Sequence, residues 1–223
     1  MRRAETRILI PVKNRENAKQ RLSSILAAWE RRLLAEAMLE DVFTTLGTWP
    51  ERPPVSVVTN DARACELARH FSFEIIHDAA NQGESEAISL ATAVCKEQQT
   101  GSLVLPGDIP LLRVSEVEQV LAAAPSVGTV LVPSVDGQGS NAVLRRPAGL
   151  FPLEFGGQSF TRHLQWARAT GKPCVTLELP GIALDVDTPQ DLSRLLAAEG
   201  NTRAQQLLRC WNLPERLLAV ANA

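Results

Sequence analysis

Apolar positions along the chain alternate between two rhythms. Short, often β-branched runs occur at Thr6–Val12, Val55–Thr59, Phe73–His77 and Ser102–Pro106, and their length suits strands buried on both faces. Longer stretches between them carry apolar residues at helical spacing. Ser24–Leu46 has Leu26, Leu33, Leu34, Ala37, Met38 and Val42 on one side. Further helices are predicted from the Asn60-Asp61 cap to His70, over Glu84–Gln98, and over Ser115–Ala123 with Ser115 as cap. Strands that alternate with helices of this length require crossovers, so the prediction is a three-layer α/β/α fold around a mostly parallel sheet.

Past Pro125 the rhythm changes. Val127–Val135 and Ala142–Arg145 flank a Gly-rich turn and read as a hairpin, which makes the sheet mixed. An aromatic loop to Phe160, a helix to Thr170, a strand near Cys174–Leu179 and Asp185-Val186-Asp187 follow. Residues 188–223 are helical in composition. The reading divides the chain into a domain over 1–199 and a C-terminal helical extension over 200–223. In that extension Trp211 and Leu213–Val220 would dock on the domain or on a second copy in a homodimer.

Composition narrows the classes of function. With 23 Lys and Arg against 25 Asp and Glu in 223 residues, no broad field favours nucleic acid or an anionic membrane. No apolar run reaches spanning length or a signal h-region, so a cytoplasmic location is expected. Cys65, Cys95, Cys174 and Cys210 lack metal-ligand spacing and read as free thiols. Any anionic partner must be held locally, which points to a small ligand.

In open α/β sheets ligands sit beyond the carboxyl ends of the strands. After the first strand, Pro11-Val12-Lys13-Asn14-Arg15 leads to Lys19 and Arg21. These cations are either a solvated loop or a triphosphate cradle offering charge-assisted hydrogen bonds. After the fourth strand, Pro106-Gly107-Asp108-Ile109-Pro110 presents a carboxylate that either shapes a turn or binds a hard cation. Asp185 and Asp187 point to one side of an extended segment and could join Asp108 around Mg²⁺. Asp187 could equally cap a helix with Pro189 in its first turn. Asp136-Gly137-Gln138-Gly139-Ser140-Asn141 and Phe155-Gly156-Gly157-Gln158-Ser159 are either turns or receptors for a second anion, the latter at a helix N-terminus. His163, one turn further, is either part of that receptor or a structural partner. No Gly-x-Ser-x-Gly elbow, Walker loop or Gly-x-Gly-x-x-Gly fingerprint occurs.

Taken in order, these segments resemble the 2-phospho-L-lactate guanylyltransferase family of deazaflavin coenzyme F420 biosynthesis, which includes phosphoenolpyruvate guanylyltransferases. The resemblance rests on Pro11-Val12-Lys13, Ala18-Lys19-Gln20-Arg21-Leu22, Ala37-Met38-Leu39-Glu40-Asp41-Val42 and Val57-Val58-Thr59. It continues through Leu105-Pro106-Gly107-Asp108-Ile109-Pro110-Leu111-Leu112, the Asp136–Asn141 turn, Phe155-Gly156 with Ser159-Phe160 and His163, and Leu184-Asp185-Val186-Asp187-Thr188-Pro189 with Asp191-Leu192. It spans roughly Ile10 to Leu192 and leaves the C-terminal extension without a counterpart.

The resemblance implies a Rossmann-like, nucleotide-diphospho-sugar-transferase-like fold, with Mg²⁺ and GTP as reaction partners. It implies metal ligation by Asp108, Asp185 and Asp187, and Lys19 on the triphosphate. Pro11, Val12, Lys13, Arg15, Arg21, Gly83, Ser85 and Pro106 would complete the nucleotide side. Ser140, Asn141, Gly156, Ser159 and His163 would grip a small phosphorylated carboxylic acid. The chain departs from the family at Gly83-Glu84-Ser85-Glu86-Ala87, where Gly-Leu-Asn and then Ala are usual, and at Ser140, where threonine is usual. The rival expectations are a same-fold transferase with another acceptor and a nucleotide-binding module without turnover.

Overall fold

The computed structural model describes residues 5–13, 19–79 and 83–221. Seven strands form one sheet in the order β3-β2-β1-β4-β6-β5-β7. They are β1 (Thr6–Val12), β2 (Val55–Thr59), β3 (Glu74–His77), β4 (Gly101–Val104), β5 (Gly128–Pro133), β6 (Ser140–Arg146) and β7 (Cys174–Thr176). Only β6 runs against its neighbours β4 and β5, while the remaining pairings are parallel. The predicted hairpin is β5–β6, with a register shift at Val132/Pro133 just before the Gly-rich turn.

Alternation along β1 shows how the three layers arise. Ile8 and Ile10 enter a core with α1 (Ala28–Gly47), α2 (Ala62–His70) and α4 (Val114–Ala123). Leu9 points the other way and packs against α3 (Glu84–Glu97). On the far half of the sheet Leu131 and Val143 take the same second face, covered by α5 (Ser159–Ala169).

Several boundaries differ from the sequence reading for identifiable reasons. The first helix begins at Ala28 rather than Ser24, because Gln20–Leu22 is a 3₁₀ turn and Ala27 is extended. Glu30 reaches back to accept from the Ala27 N–H at 2.7 Å and fixes that start. Helix α4 is preceded by Arg113, not capped by Ser115. Strand β4 ends at Val104, before Pro106, which has no N–H to give a ladder.

The C-terminal segment docks on its own chain. Short α6 (Pro180–Ala183) leads to α7 (Pro189–Ala197), α8 (Arg203–Cys210) and α9 (Leu213–Ala221). Leu22, Leu34, Met38, Val186, Leu195, Leu208 and Leu213 share a second core between these helices and α1. The Asp41 carboxylate accepts from the N–H groups of Arg203 (2.7 Å) and Ala204 (3.0 Å) and so caps α8. Arg216 donates to buried Glu30 at 2.7 Å. Among the described residues no helix is long and apolar enough to cross a membrane.

Candidate active site

A cleft of about 270 Å³ opens where the C-terminal ends of β4 and β5 meet the start of β6. Its residues come from the loop after β4 (Pro106, Asp108), the Gly-rich turn, the Phe155–Ser159 loop, and Asp185 with Asp187. Arg21 and Glu84 also line it.

One wall is charged. Lys19, in a left-handed conformation (φ 52°), sends its ammonium to Asp108 Oδ2 at 2.5 Å and Asp187 Oδ1 at 2.7 Å. Burial would lower its pKa, but the paired carboxylates more than offset this and raise it above lysine's ordinary value. Arg21 stands 3.9 Å from Asp187 Oδ2. Burial pushes Asp187 upward, yet the Lys19 and Arg21 charges leave its pKa below the usual carboxylate value. Asp185 moves the opposite way, to about 6, through burial and the charges of Asp108 and Asp187, against a hydrogen bond from Asn141. Glu84, at the start of α3, is pushed to about 7 by burial and then by Asp108, with Lys13 and Lys19 opposing. Two carboxylates thus bind one buried ammonium, and Asp185 and Glu84 add further acidic groups to the same cleft.

Backbone pairing holds this wall together. The Val186 N–H donates to the Asp108 carbonyl at 3.2 Å, so the two aspartate segments are tied side by side. The choice left open for Asp187 resolves at its neighbour. Thr188 is the N-cap of α7, and Asp191 closes a capping box on it, accepting from Thr188 N–H at 2.9 Å. Asp187 is therefore released to face Lys19.

The remaining lining is mostly uncharged, with Asp136 of the Gly-rich turn as its carboxylate. Ser140 Oγ lies 2.9 Å from His163 Nδ1, while His163 Nε2 accepts from the Glu154 N–H at 3.1 Å. That acceptance puts the ring proton on Nδ1, which then donates to Ser140. Burial, followed by the Arg145 and Arg162 charges, lowers the His163 pKa to about 4. Ser159 Oγ accepts from the Ser140 N–H at 3.1 Å. Both hydroxyls receive a bond from the protein, and each keeps its own proton for a ligand. Gly156 supports the loop at φ 96°, a conformation that glycine adopts without strain. The Phe160 N–H donates to the Gln138 carbonyl at 2.9 Å and joins this loop to the Gly-rich turn.

The structure sorts the predicted residues. Asp108, Asp185, Asp187, Arg21, Pro106, Ser140, Asn141, Gly156 and Ser159 line the cleft, and Lys19 bonds to two of its carboxylates. His163 is fully buried behind Ser140 rather than in the cleft wall. The Asn141 amide nitrogen lies 2.9 Å from Asp185 Oδ1 and 2.9 Å from the Ala183 carbonyl, orienting the acid segment. Ser85 accepts from the Phe155 N–H at 3.0 Å, tying α3 to the glycine loop. Val12 is bonded through its carbonyl to Thr59 Oγ1 at 2.7 Å, and buried Pro11 precedes it in β1. Gly83 precedes α3, and Lys13 is exposed at the end of β1. Arg15 lies outside the described residues. Sequence reasoning passed over Ser134, whose Oγ donates to Asp136 at 2.6 Å and accepts from the Gly139 N–H at 2.7 Å, shaping the turn. A serine closing a strand before Asp-Gly was the available signal.

The fold is a three-layer α/β/α one that brings acidic and basic residues together beyond the carboxyl ends of its central strands. The fold is similar to that of a Desulfovibrio desulfuricans protein designated a nucleotide-diphospho-sugar transferase, with TM-score 0.78 over 97% of this chain and 98% of that one at 17% identity. The family model "Guanylyl transferase CofC like" matches residues 6–214, and the chain belongs to that family of guanylyltransferase enzymes. The match passes residue 199 and takes in α8, so the C-terminal segment does have a family counterpart. A phosphoenolpyruvate guanylyltransferase of Conexibacter woesei is 36% identical over 84% of this chain and 85% of its own length. A 2-phospho-L-lactate guanylyltransferase of Methanothermobacter thermautotrophicus is 31% identical over 92% of this chain and 90% of its own.

Proposed function

We propose that the chain transfers GMP from GTP, with Mg²⁺, to the phosphate of a small phosphorylated acid, phosphoenolpyruvate or 2-phospho-L-lactate. Pyrophosphate is released, and the product is an activated donor for coenzyme F420 assembly. The observation that carries this reading is the pairing of the two walls across one cleft. One offers carboxylates held around a lysine, and the other offers hydroxyl protons and flexible glycines.

The charged wall suits a hard divalent cation. Asp108 Oδ1 is buried without a hydrogen-bond partner, and Asp185 is raised by burial first and then by the charges of Asp108 and Asp187. Among the described residues no group of three His, Cys, Asp or Glu side chains is arranged to hold a metal alone. Mg²⁺ takes one or two carboxylates and completes its shell with water and substrate phosphate. Asp108, Asp185 and Asp187 are the carboxylates from which it would draw those ligands, and when bound it would neutralise phosphate charge at the reacting phosphorus.

The chain's own residues supply the rest. Lys19 is protonated and exchanges its carboxylate partners for triphosphate oxygens as the nucleotide enters. Arg21, exposed at the rim, adds charge where the leaving pyrophosphate develops it. Ser140 and Ser159 donate to the acid's phosphate or carboxylate and hold its phosphate oxygen in line with the α-phosphorus. That oxygen forms the new bond to the α-phosphorus, and the bond to the β-phosphate oxygen breaks with its electron pair leaving on pyrophosphate. A phosphate monoester is already anionic near neutral pH, so a strong base is unnecessary.

The test is pyrophosphate release with Mg²⁺, crossing four nucleoside triphosphates with phosphoenolpyruvate, 2-phospho-L-lactate and 3-phosphoglycerate. Release with GTP and one of the first two acids is expected. Release only with another nucleotide would overturn the guanylyl assignment and implicate Glu84, at the altered Gly83–Ala87 segment. Silence across the plate from folded protein would overturn the reaction.

A further inference from the structure

Arg145 is placed where a charge is expensive. It sits on β6, paired with Ser102 of β4 and Thr129 of β5, on the same sheet face as Val143. That face is covered by α3 and α5, and Arg145 is only 1% exposed. Its partners are all neutral. Nη1 donates to the Phe151 carbonyl at 2.5 Å, and Nη2 to Thr92 Oγ1 at 2.9 Å and Ser102 Oγ at 3.3 Å. Nε is buried with no partner. No carboxylate pairs with this guanidinium among the described residues. Buried arginines are ordinarily paired with an anion.

A pocket of about 200 Å³ opens beside it between α3 and the loop after β6, lined by Ser89, Thr92, Lys96, Arg145, Gly149 and Phe151 among others. A Cβ on Gly149 would come 3.0 Å from Lys96 Cδ, so the missing side chain lets the lysine stem lie along the pocket wall. This brings a second cation to the rim. The catalytic cleft lies at the opposite end of β6, where Ser140 begins the strand.

We propose that this pocket is a second anion site, which takes a small oxyanion, a phosphate or carboxylate group, on Arg145 with Lys96 at its rim. Occupancy would tighten the loop whose Phe151 carbonyl accepts from Arg145. The same loop carries the Glu154 N–H bonded to His163 and the Phe155 N–H bonded to Ser85, so the site would be felt at the acid-binding wall.

The test is thermal unfolding of the full chain in a series of inorganic phosphate concentrations against chloride at matched ionic strength, repeated with acetate. Phosphate is expected to raise the midpoint in the native chain and in Lys19→Gln, which disables the catalytic cleft. In the Lys19→Gln background Arg145→Met is expected to abolish the shift, and Lys96→Gln to weaken apparent affinity about tenfold. Lys96 is exposed, so its variant decides the matter if Arg145→Met does not fold. A response to acetate alone assigns a carboxylate ligand, and a response to phosphate assigns a phosphoryl group. A shift that survives Lys96→Gln unchanged, one lost in Lys19→Gln, or no response to either anion overturns the proposal.

Discussion

On one wall of the cleft, Asp108 and Asp187 hold Lys19, with Asp185 and Glu84 in the same lining. On the other, Ser140 and Ser159 stand in a mostly uncharged frame backed by His163. The charged wall is left unbalanced. Asp185 and Glu84 are pushed upward, Asp187 downward, and a buried oxygen of Asp108 lacks a partner. The hydroxyl wall is already satisfied, with its two remaining hydroxyl protons free for a ligand. One surface carries carboxylates that its own cations do not fully pair, and the other is set before any ligand arrives. Preorganised donors need no rearrangement when they meet developing charge.

The sharpest way to break the contrast is Asp108→Ala. If the charged wall carries the chemistry, pyrophosphate release should fall by about a thousandfold or more. The fold should survive, because Lys19 keeps Asp187 and one orphaned oxygen disappears. Activity within tenfold of the parent, with an unchanged circular-dichroism melt, would refute the assignment of that wall.

The hydroxyl wall makes a prediction about pH. His163 has a folded pKa near 4 against 6.5 unfolded, so between those values the unfolded chain binds the extra proton. Its contribution is therefore fully present above about pH 6.5 and is lost as pH falls toward 4, by up to about 3 kcal/mol. Protonation would also deprive the Glu154 N–H of its acceptor. Denaturant unfolding of the native chain and His163→Gln should show the stability gap shrinking from pH 7 to pH 4.5. An equal gap at both values would show that this histidine does not titrate on unfolding.

The hydroxyls come next in size. Ser159→Ala removes a donor to an anionic ligand and leaves the Ser140 N–H without its acceptor. The KM for the acid should rise about 10–100-fold while the KM for GTP moves by less than about threefold. Comparable increases in both would merge the two walls into one site and end the division of labour.

Much of this architecture was legible because it depends on local periodicity. The parallel strands and the β5–β6 hairpin follow from apolar spacing and a Gly-rich turn. Asp108 was legible because strand ends are where such sheets present ligands, and Asp185 with Asp187, which follow α6, through their alternation in an extended segment. What escaped depends on contacts distant in sequence. Nothing near Lys19 indicates that it would bond to carboxylates 89 and 168 residues away. Nothing near His163 fixes its place behind Ser140 rather than in the cleft. The early turn at 20–27 escaped because Leu22 and Leu26 are buried all the same, so helical spacing was satisfied without a helix.

The smallest effect probes how the charged wall is held. Thr188 caps α7, its hydroxyl donates to Asp191 Oδ2 at 2.7 Å, and that same oxygen lies 3.3 Å from the Asp187 N–H. Thr188→Ala should cost about 1 kcal/mol of stability, and Thr188→Ser should restore most of it. The kinetic consequence separates two ways of positioning Asp187. If the capping box aims its carboxylate, kcat should fall severalfold in the alanine variant, recover in the serine variant, and leave the KM for the acid unchanged. If the Val186–Asp108 backbone bond suffices, stability alone should move. The hydroxyl wall has no part in either outcome, so a shifted acid KM would mean that the two walls are mechanically linked through α7.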